Sequence, residues 1–288
     1  MKKNMLSALI ALAVVTGCTK NTDKEQAYKK IDIGETVKDF FLKTNSAKDG
    51  EIYIQATTHV ASFTPVSQQP FDGDVVGVFY TNKNQEKPTT VSSFVVDGVD
   101  IPYNNNPAYP GYGFQSLGNT STISTWMKNL FGRKIKVAVG GSRTYMTEGN
   151  QIESDGFYVP QPIELSGSVV QSYTLNKNVS HTFTWTPDSQ NPNGMVFLAV
   201  LYEAYESNLT DASMPDATEV IAFLEIPDNG SYSVTPSQVT GLPNNCRASI
   251  ALARGNYQVI TDPATGTQTL IYAITQSLTG ASIRVVSQ

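Results

Sequence analysis

The stretch His181-Thr182-Phe183-Thr184-Trp185-Thr186-Pro187-Asp188, followed after Pro192-Asn193-Gly194 by Met195-Val196-Phe197-Leu198-Ala199-Val200-Leu201-Tyr202, decides the architecture. Its first part alternates strictly, the period-two signature of a half-buried strand. Phe183 and Trp185 then face a core, and Thr182, Thr184 and Thr186 face outward. Its second part is apolar at every position, which predicts a strand covered on both faces. Pro192-Asn193-Gly194 supplies the turn between them.

Working outward, further β-branched and aromatic runs recur at even spacing, at about 169–176, 219–227, 230–236, 246–254, 267–276 and 281–287. Short strands at this spacing, with turn signals between them, predict an immunoglobulin- or fibronectin-III-like sandwich over residues 165–288. Pro160 and Pro162 mark the boundary before it. Upstream, residues 36–164 read as a second β-rich domain, with strands at 52–58, 74–80, 133–139 and 156–165. Asp97-Gly98 between two apolar arms accepts the positive φ angles of a tight hairpin turn. One helix is expected near residues 122–131. Ile123, Trp126, Met127, Leu130 and Phe131 fall on one stripe, Ser121 or Thr122 can cap its start, and Gly132 sits at its end. The predicted fold class is all-β, two sandwich domains with one or two short helices.

The composition agrees. Of 288 residues, 40% are hydrophobic and only 16% charged, which excludes both disorder and a helical bundle. A formal charge of −5 argues against a nucleic-acid partner held through phosphates. Two His and two Cys leave almost no material for a transition-metal site, so no metal and no cofactor are expected.

The N-terminus carries an address. Lys2 and Lys3 precede an apolar run over residues 5–15, too short for a permanent span and flanked like a signal peptide. The run ends in Val15-Thr16-Gly17-Cys18, which resembles the lipobox of bacterial lipoproteins. That resemblance implies removal of residues 1–17 and acylation of Cys18, with palmitate-type chains on its sulfur and its new α-amino group. Several chains on one residue anchor stably. Cleavage there takes two lysines and no acid, moving the formal charge to −7. Residues 18–35 are polar and read as a tether. Val37, Phe40 and Phe41 have helical or mixed spacing at the start of the body. Thr19 after the Cys, rather than an acid, is compatible with the outer membrane. With Cys18 acylated, Cys246 is the one thiol left, and no internal disulfide can form.

The layout of lipobox, polar leash and one or two β-sandwiches is similar to the outer-membrane lipoproteins of Bacteroidota. Phe183-Thr184-Trp185-Thr186-Pro187-Asp188, with Asn191-Pro192-Asn193-Gly194 and the strand after it, looks like the second and third strands of Ig-like modules there. The resemblance covers the last 120 residues or so, and places no family's functional residues on this chain. It implies an envelope protein on a lipid anchor, with modules of that kind accompanying glycan uptake. Two-domain pilus subunits of the same phylum are a second comparison.

Catalytic signatures are weak. His59 and His181 lie in strand-like runs without a flanking nucleophile motif. Cys246 heads an apolar strand and reads as a buried, inert thiol. Acid pairs such as Asp72/Asp74 and Glu153/Asp155 are expected by chance among 25 acids. Residues 189–194 mimic a calcium loop, but Val200 stands where the bidentate Glu is required. Gly140-Gly141-Ser142-Arg143 has no Lys and no helix after it for a phosphate cradle.

The most suggestive segment runs Tyr103-Asn104-Asn105-Asn106-Pro107-Ala108-Tyr109-Pro110-Gly111-Tyr112-Gly113-Phe114. Aromatic faces stack on sugars, amides bond hydroxyls, and a Pro-stiffened loop loses little entropy on binding. Tyr103, Asn105, Tyr109, Tyr112 and Phe114 are therefore the candidate ligand-binding residues. Mutual stacking that merely orders a long connection is the other reading. The expectation is a non-catalytic outer-membrane lipoprotein binding a glycan or an envelope protein. A structural subunit of a pilus-like or envelope complex, exchanging the strand at 281–286, is the alternative.

Overall fold

The computed structural model describes residues 49–59, 71–81, 87–104, 111–117, 121–142, 145–203, 219–279 and 283–287. Cys18, the tether and the apolar residues at 37–41 lie outside them. The first half holds β1 (Gly50–His59), β2 (Phe71–Tyr80), β3 (Pro88–Thr89), β4 (Ser93–Val96), β5 (Val99–Asp100), β6 (Tyr103–Asn104) and β7 (Gly111–Leu117). Helix α1 (Ser121–Asn129) follows, then β8 (Arg133–Ile135), β9 (Val137–Gly140), β10 (Gln151–Glu153) and β11 (Phe157–Val159). The second half opens with β12 (Ser166–Gly167), α2 (Ser168–Ser172), β13 (Thr174–Asn176), β14 (His181–Thr184) and β15 (Met195–Glu203). It closes with β16 (Glu219–Pro227), β17 (Ser231–Val234), β18 (Arg247–Thr261), β19 (Gln268–Leu278) and β20 (Ile283–Val286). The chain is all-β with two short helices among the described residues.

In the second half two sheets close on one core. The sheet β12-β14-β17 contributes Phe183, Trp185 and Val234. The opposing strands β13-β20-β18-β15-β16 contribute Leu175, Val285, Ile250, Leu198 and Ile226. The first strand is split, β12 joining one sheet and β13 pairing in parallel with the last strand of the other, which gives an immunoglobulin-like arrangement. β15 is flanked by β16 and β18, which is why its sequence is apolar on both faces.

β18 does not end with that sandwich. Its first half pairs with β15 and its second half with β19, register Ala251↔Leu278 through Thr261↔Gln268. β19 then pairs in parallel with β1, and β2 and β7 extend the same sheet, so one 11-stranded sheet runs through both halves of the sequence. On the inner side of its first-half portion, Ile52, Ile54, Val75, Phe79 and Ile271 pack against Phe94, Val137, Val139, Met127 and Leu130. These come from the β10-β9-β4-β5 sheet and from α1, whose amphipathic stripe needs a partner because nine residues cannot hold a helix in water.

Local signals are realised where backbone chemistry demands them. Asp97 and Gly98 take φ of 50° and 79° between β4 and β5, and Val96 pairs with Val99. Gly132 ends the α1 region at φ 75°, with its N–H donated to Val159 O at 2.9 Å. One expectation is corrected. The run at 169–176 is not one strand: residues 168–172 form α2, and only Thr174–Asn176 pairs as β13. Adjacent Val169 and Val170 are both buried in the same core, which a strand's alternation forbids and a helical turn allows. Tyr173, at φ 52°, terminates the turn.

Candidate functional site

The Tyr-rich segment divides. Tyr103 and Asn104 form β6 and pair with Tyr112 and Gly111 of β7, so residues 105–110, with Asn105 and Tyr109, connect the arms of a hairpin. Those six residues lie outside the described ones. Tyr112 points inward. It is buried, its hydroxyl accepts from Val91 N–H and donates to Val91 O, both at 2.9 Å, and its ring packs edge-on against Phe79, Phe94 and Tyr103. Burial, the first cause, raises its hydroxyl pKa, partly offset by the bond to Val91. Tyr112 is thus a core residue whose ring is already occupied, and cannot offer a stacking face to a ligand. Tyr103 is half-buried against it. Phe114 belongs to β7, opposite Val75. The aromatic cluster therefore roots the short hairpin β6-β7 in the sheet.

The densest gathering of ionisable groups among the described residues is one that sequence reading did not find. Arg254 stands on β18 where the strand passes from one half to the other, and is fully buried. Its Nη1 lies 3.4 Å from Asp228 Oδ2 and 3.8 Å from Asp188 Oδ2, and its Nη2 donates to Thr186 O at 2.6 Å. Tyr158 donates to Asp188 Oδ1 at 2.7 Å, and the backbone of Gln161 to Asp188 Oδ2 at 2.8 Å. Trp185 Nε1 donates to Asp228 Oδ1 at 2.7 Å, and the backbone of Asp188 to Asp228 Oδ2 at 3.2 Å. Burial pulls the guanidinium pKa down while the two carboxylates push it back up. Burial, then the bond to Asp188, raises that of Tyr158.

This knot joins four chain segments: β11 and the connection after it, the loop after β14, the turn after β16, and mid-β18. Neighbouring bonds tighten the same seam. Asn256 Nδ2 donates to Tyr158 O at 2.8 Å, Thr275 Oγ1 to Gln161 O at 2.8 Å, and Leu165 N to Ser277 Oγ at 3.1 Å. Every carboxylate oxygen of the knot accepts a bond from the protein, whereas Arg254 Nε and Nη1 are buried without a hydrogen-bond partner and Nη1 has only its ion pairs. The one sequence signal was a charged residue directly after the apolar run 248–253.

The remaining candidates have structural surroundings. Cys246 is fully buried, and burial pushes its thiol up to about 11, leaving little thiolate at neutral pH. His181 is half-buried, with Nε2 2.7 Å from Asn176 O. His59 ends β1. A shallow, open depression of about 260 Å³ beside Trp185 is lined by Glu164, Leu165, Ser166, Thr184 and Thr186, smaller than the usual ligand cleft. No group of three or more His, Cys, Asp or Glu among the described residues is placed to hold a metal ion. No described helix is long and apolar enough to cross a membrane. No protein-family model matches the chain, and no curated protein sequence matches it.

Proposed function

We propose that this chain is a lipid-anchored, non-catalytic protein of the outer membrane that works by holding a partner, a glycan or another envelope protein. The observation that carries the reading is the use made of its reactive groups. Arg254, Asp188, Asp228 and Tyr158 are sealed at the seam between the halves, so the most chemically capable residues serve rigidity. The hairpin β6-β7, rooted by Tyr112, supports a contact surface at its tip, residues 105–110. Lipobox, tether and sheet-built body support the anchored location.

The test is binding to a glycan array, and in-cell photo-crosslinking from the tip, with Tyr109→Ala and Asn105→Ala. Loss of the captured ligand in these variants, with unchanged unfolding, supports the reading. Unchanged capture removes the hairpin from it. Tyr112→Ala is unsuitable as a probe because it would empty the core.

One feature favours the assembly-subunit alternative. The last strand, β20, is four residues long and seated between β13 and β18, with Ile283 and Val285 in the core. A copy of that strand from a second molecule would make identical contacts, which is the condition for strand exchange. A protein that stays monomeric at all concentrations, with or without residues 281–288, contradicts this alternative.

A further inference from the structure

The connection between the halves carries the prolines of a linker, yet it is not built as one. Ile163 and Leu165 are buried in the second core. Gln161 N–H donates to Asp188 Oδ2, Gln161 O accepts from Thr275 Oγ1, and Leu165 N–H donates to Ser277 Oγ. A mobile boundary between two domains is exposed and crossed by few contacts.

The hairpin β18-β19 crosses the same seam and is shared. Ala248, Ile250 and Leu252 of β18 lie in the second core, whereas Ile260 of β18 and Ile271 and Ala273 of β19 lie in the first. β19 pairs with β1 from Gly50↔Thr269 through His59↔Leu278. Along that ladder Gln276 Nε2 donates to Thr57 Oγ1 at 3.0 Å, between residues 219 positions apart in the chain.

Neither half is complete without the hairpin. Taken from the first, it leaves β1 as a bare edge, with a row of unpaired N–H and C=O groups beside a core that has lost Ile260, Ile271 and Ala273. Left on the second half alone, it projects as a two-stranded ribbon. Leu270, Ile271, Tyr272, Ala273 and Ile274, five consecutive residues now 0–2% exposed, then face water on both sides, and a lone ribbon of two strands does not hold in water.

We propose that the β18-β19 hairpin is a lock that makes the two halves one cooperative unit. The first half cannot fold until residues 247–278, close to the far end of the chain, take their place in its sheet. Once they have, the halves neither unfold separately nor swing about a hinge, whatever partner the protein holds.

The chain has two tryptophans, and they report separately: Trp126 of α1 packs on the first core, and Trp185 lies in the second. 5-Fluorotryptophan incorporated into the full-length protein therefore gives one fluorine resonance per half, assigned with Trp126→Phe. In a urea titration both native resonances should vanish at one midpoint and with one slope. Val139→Ala alters the first core and Val234→Ala the second, on strands β9 and β17 that do not pair with the hairpin. Each variant should lower both midpoints by the same increment of urea. Midpoints that separate, or a variant that moves only the resonance of its own half, would overturn the proposal.

Should a variant fail to fold, amide hydrogen exchange of the wild type at low urea decides the matter. The lock expects β1, β2 and β19 to share their slowest opening, with the same urea dependence, with β14 and β15. An opening that exposes β1, β2 and β19 while β14 and β15 stay protected contradicts it.

Discussion

Replacing Arg254 by Met keeps most of the side-chain volume and removes the cation. Asp188 and Asp228 then remain buried, with their oxygens held by Tyr158, Trp185 and backbone N–H groups but with no counter-charge. Removing one partner of a buried ionic cluster costs about 3–5 kcal/mol. For a chain of this size that is a fall in Tm on the order of 10 °C. Urea unfolding of wild type and Arg254→Met at pH 7, followed by far-ultraviolet circular dichroism, reads the loss. A variant within about 1 kcal/mol of wild type at pH 7 would refute the assignment, since breaking a buried pair has no such mild outcome.

Other outcomes follow from single contacts. Tyr112→Phe removes a hydroxyl that serves both backbone groups of Val91, so urea unfolding should record a loss of about 1–3 kcal/mol while glycan or partner capture is unchanged. Gly167→Ala puts a side chain at φ 135° and a Cβ 2.6 Å from Thr182 O; the cost should reach about 3 kcal/mol in thermal unfolding, against a smaller loss of about 1 kcal/mol for Gly98→Ala, which is strained at φ 79° but whose Cβ meets nothing. Burial raises Cys246 from 9.0 to about 11 and Tyr80 from 10.0 to about 12, so the native state holds these protons more tightly than the unfolded chain. Their contribution to stability is complete below pH 9 and is lost as pH climbs toward 11–12, which alkaline unfolding titrations should display. Alkylation of Cys246 at pH 8 should need unfolding first.

How much of this was legible in the sequence depended on distance along the chain. The Asp97-Gly98 turn, the Trp126-Met127-Leu130 stripe and the Phe183/Trp185 alternation are local patterns, and the structure realises each of them. The parallel pairing of β1 with β19 joins Gly50 to Thr269, and no short-range pattern names a partner that far away. Arg254 illustrates the same limit in chemistry: its carboxylate partners come from two different loops, and only the folded seam brings them together. The reverse error occurred at Tyr112. A run of Tyr, Asn and Pro looks alike whether its rings face solvent or core, and the pairing of β7 with β2 turns this ring inward. At 169–176 the two adjacent valines satisfied a strand's composition, while burial of both on one side required a helical turn.

The proposed anchored, partner-holding role stands or falls first on its anchor. Intact mass analysis of the N-terminal peptide from the envelope-extracted protein examines this without any assumption about the ligand. The account predicts a peptide beginning at Cys18 with a diacylglyceryl thioether on its sulfur and a fatty amide on its nitrogen. A free Cys18 thiol, or a chain still carrying residues 1–17, would contradict it.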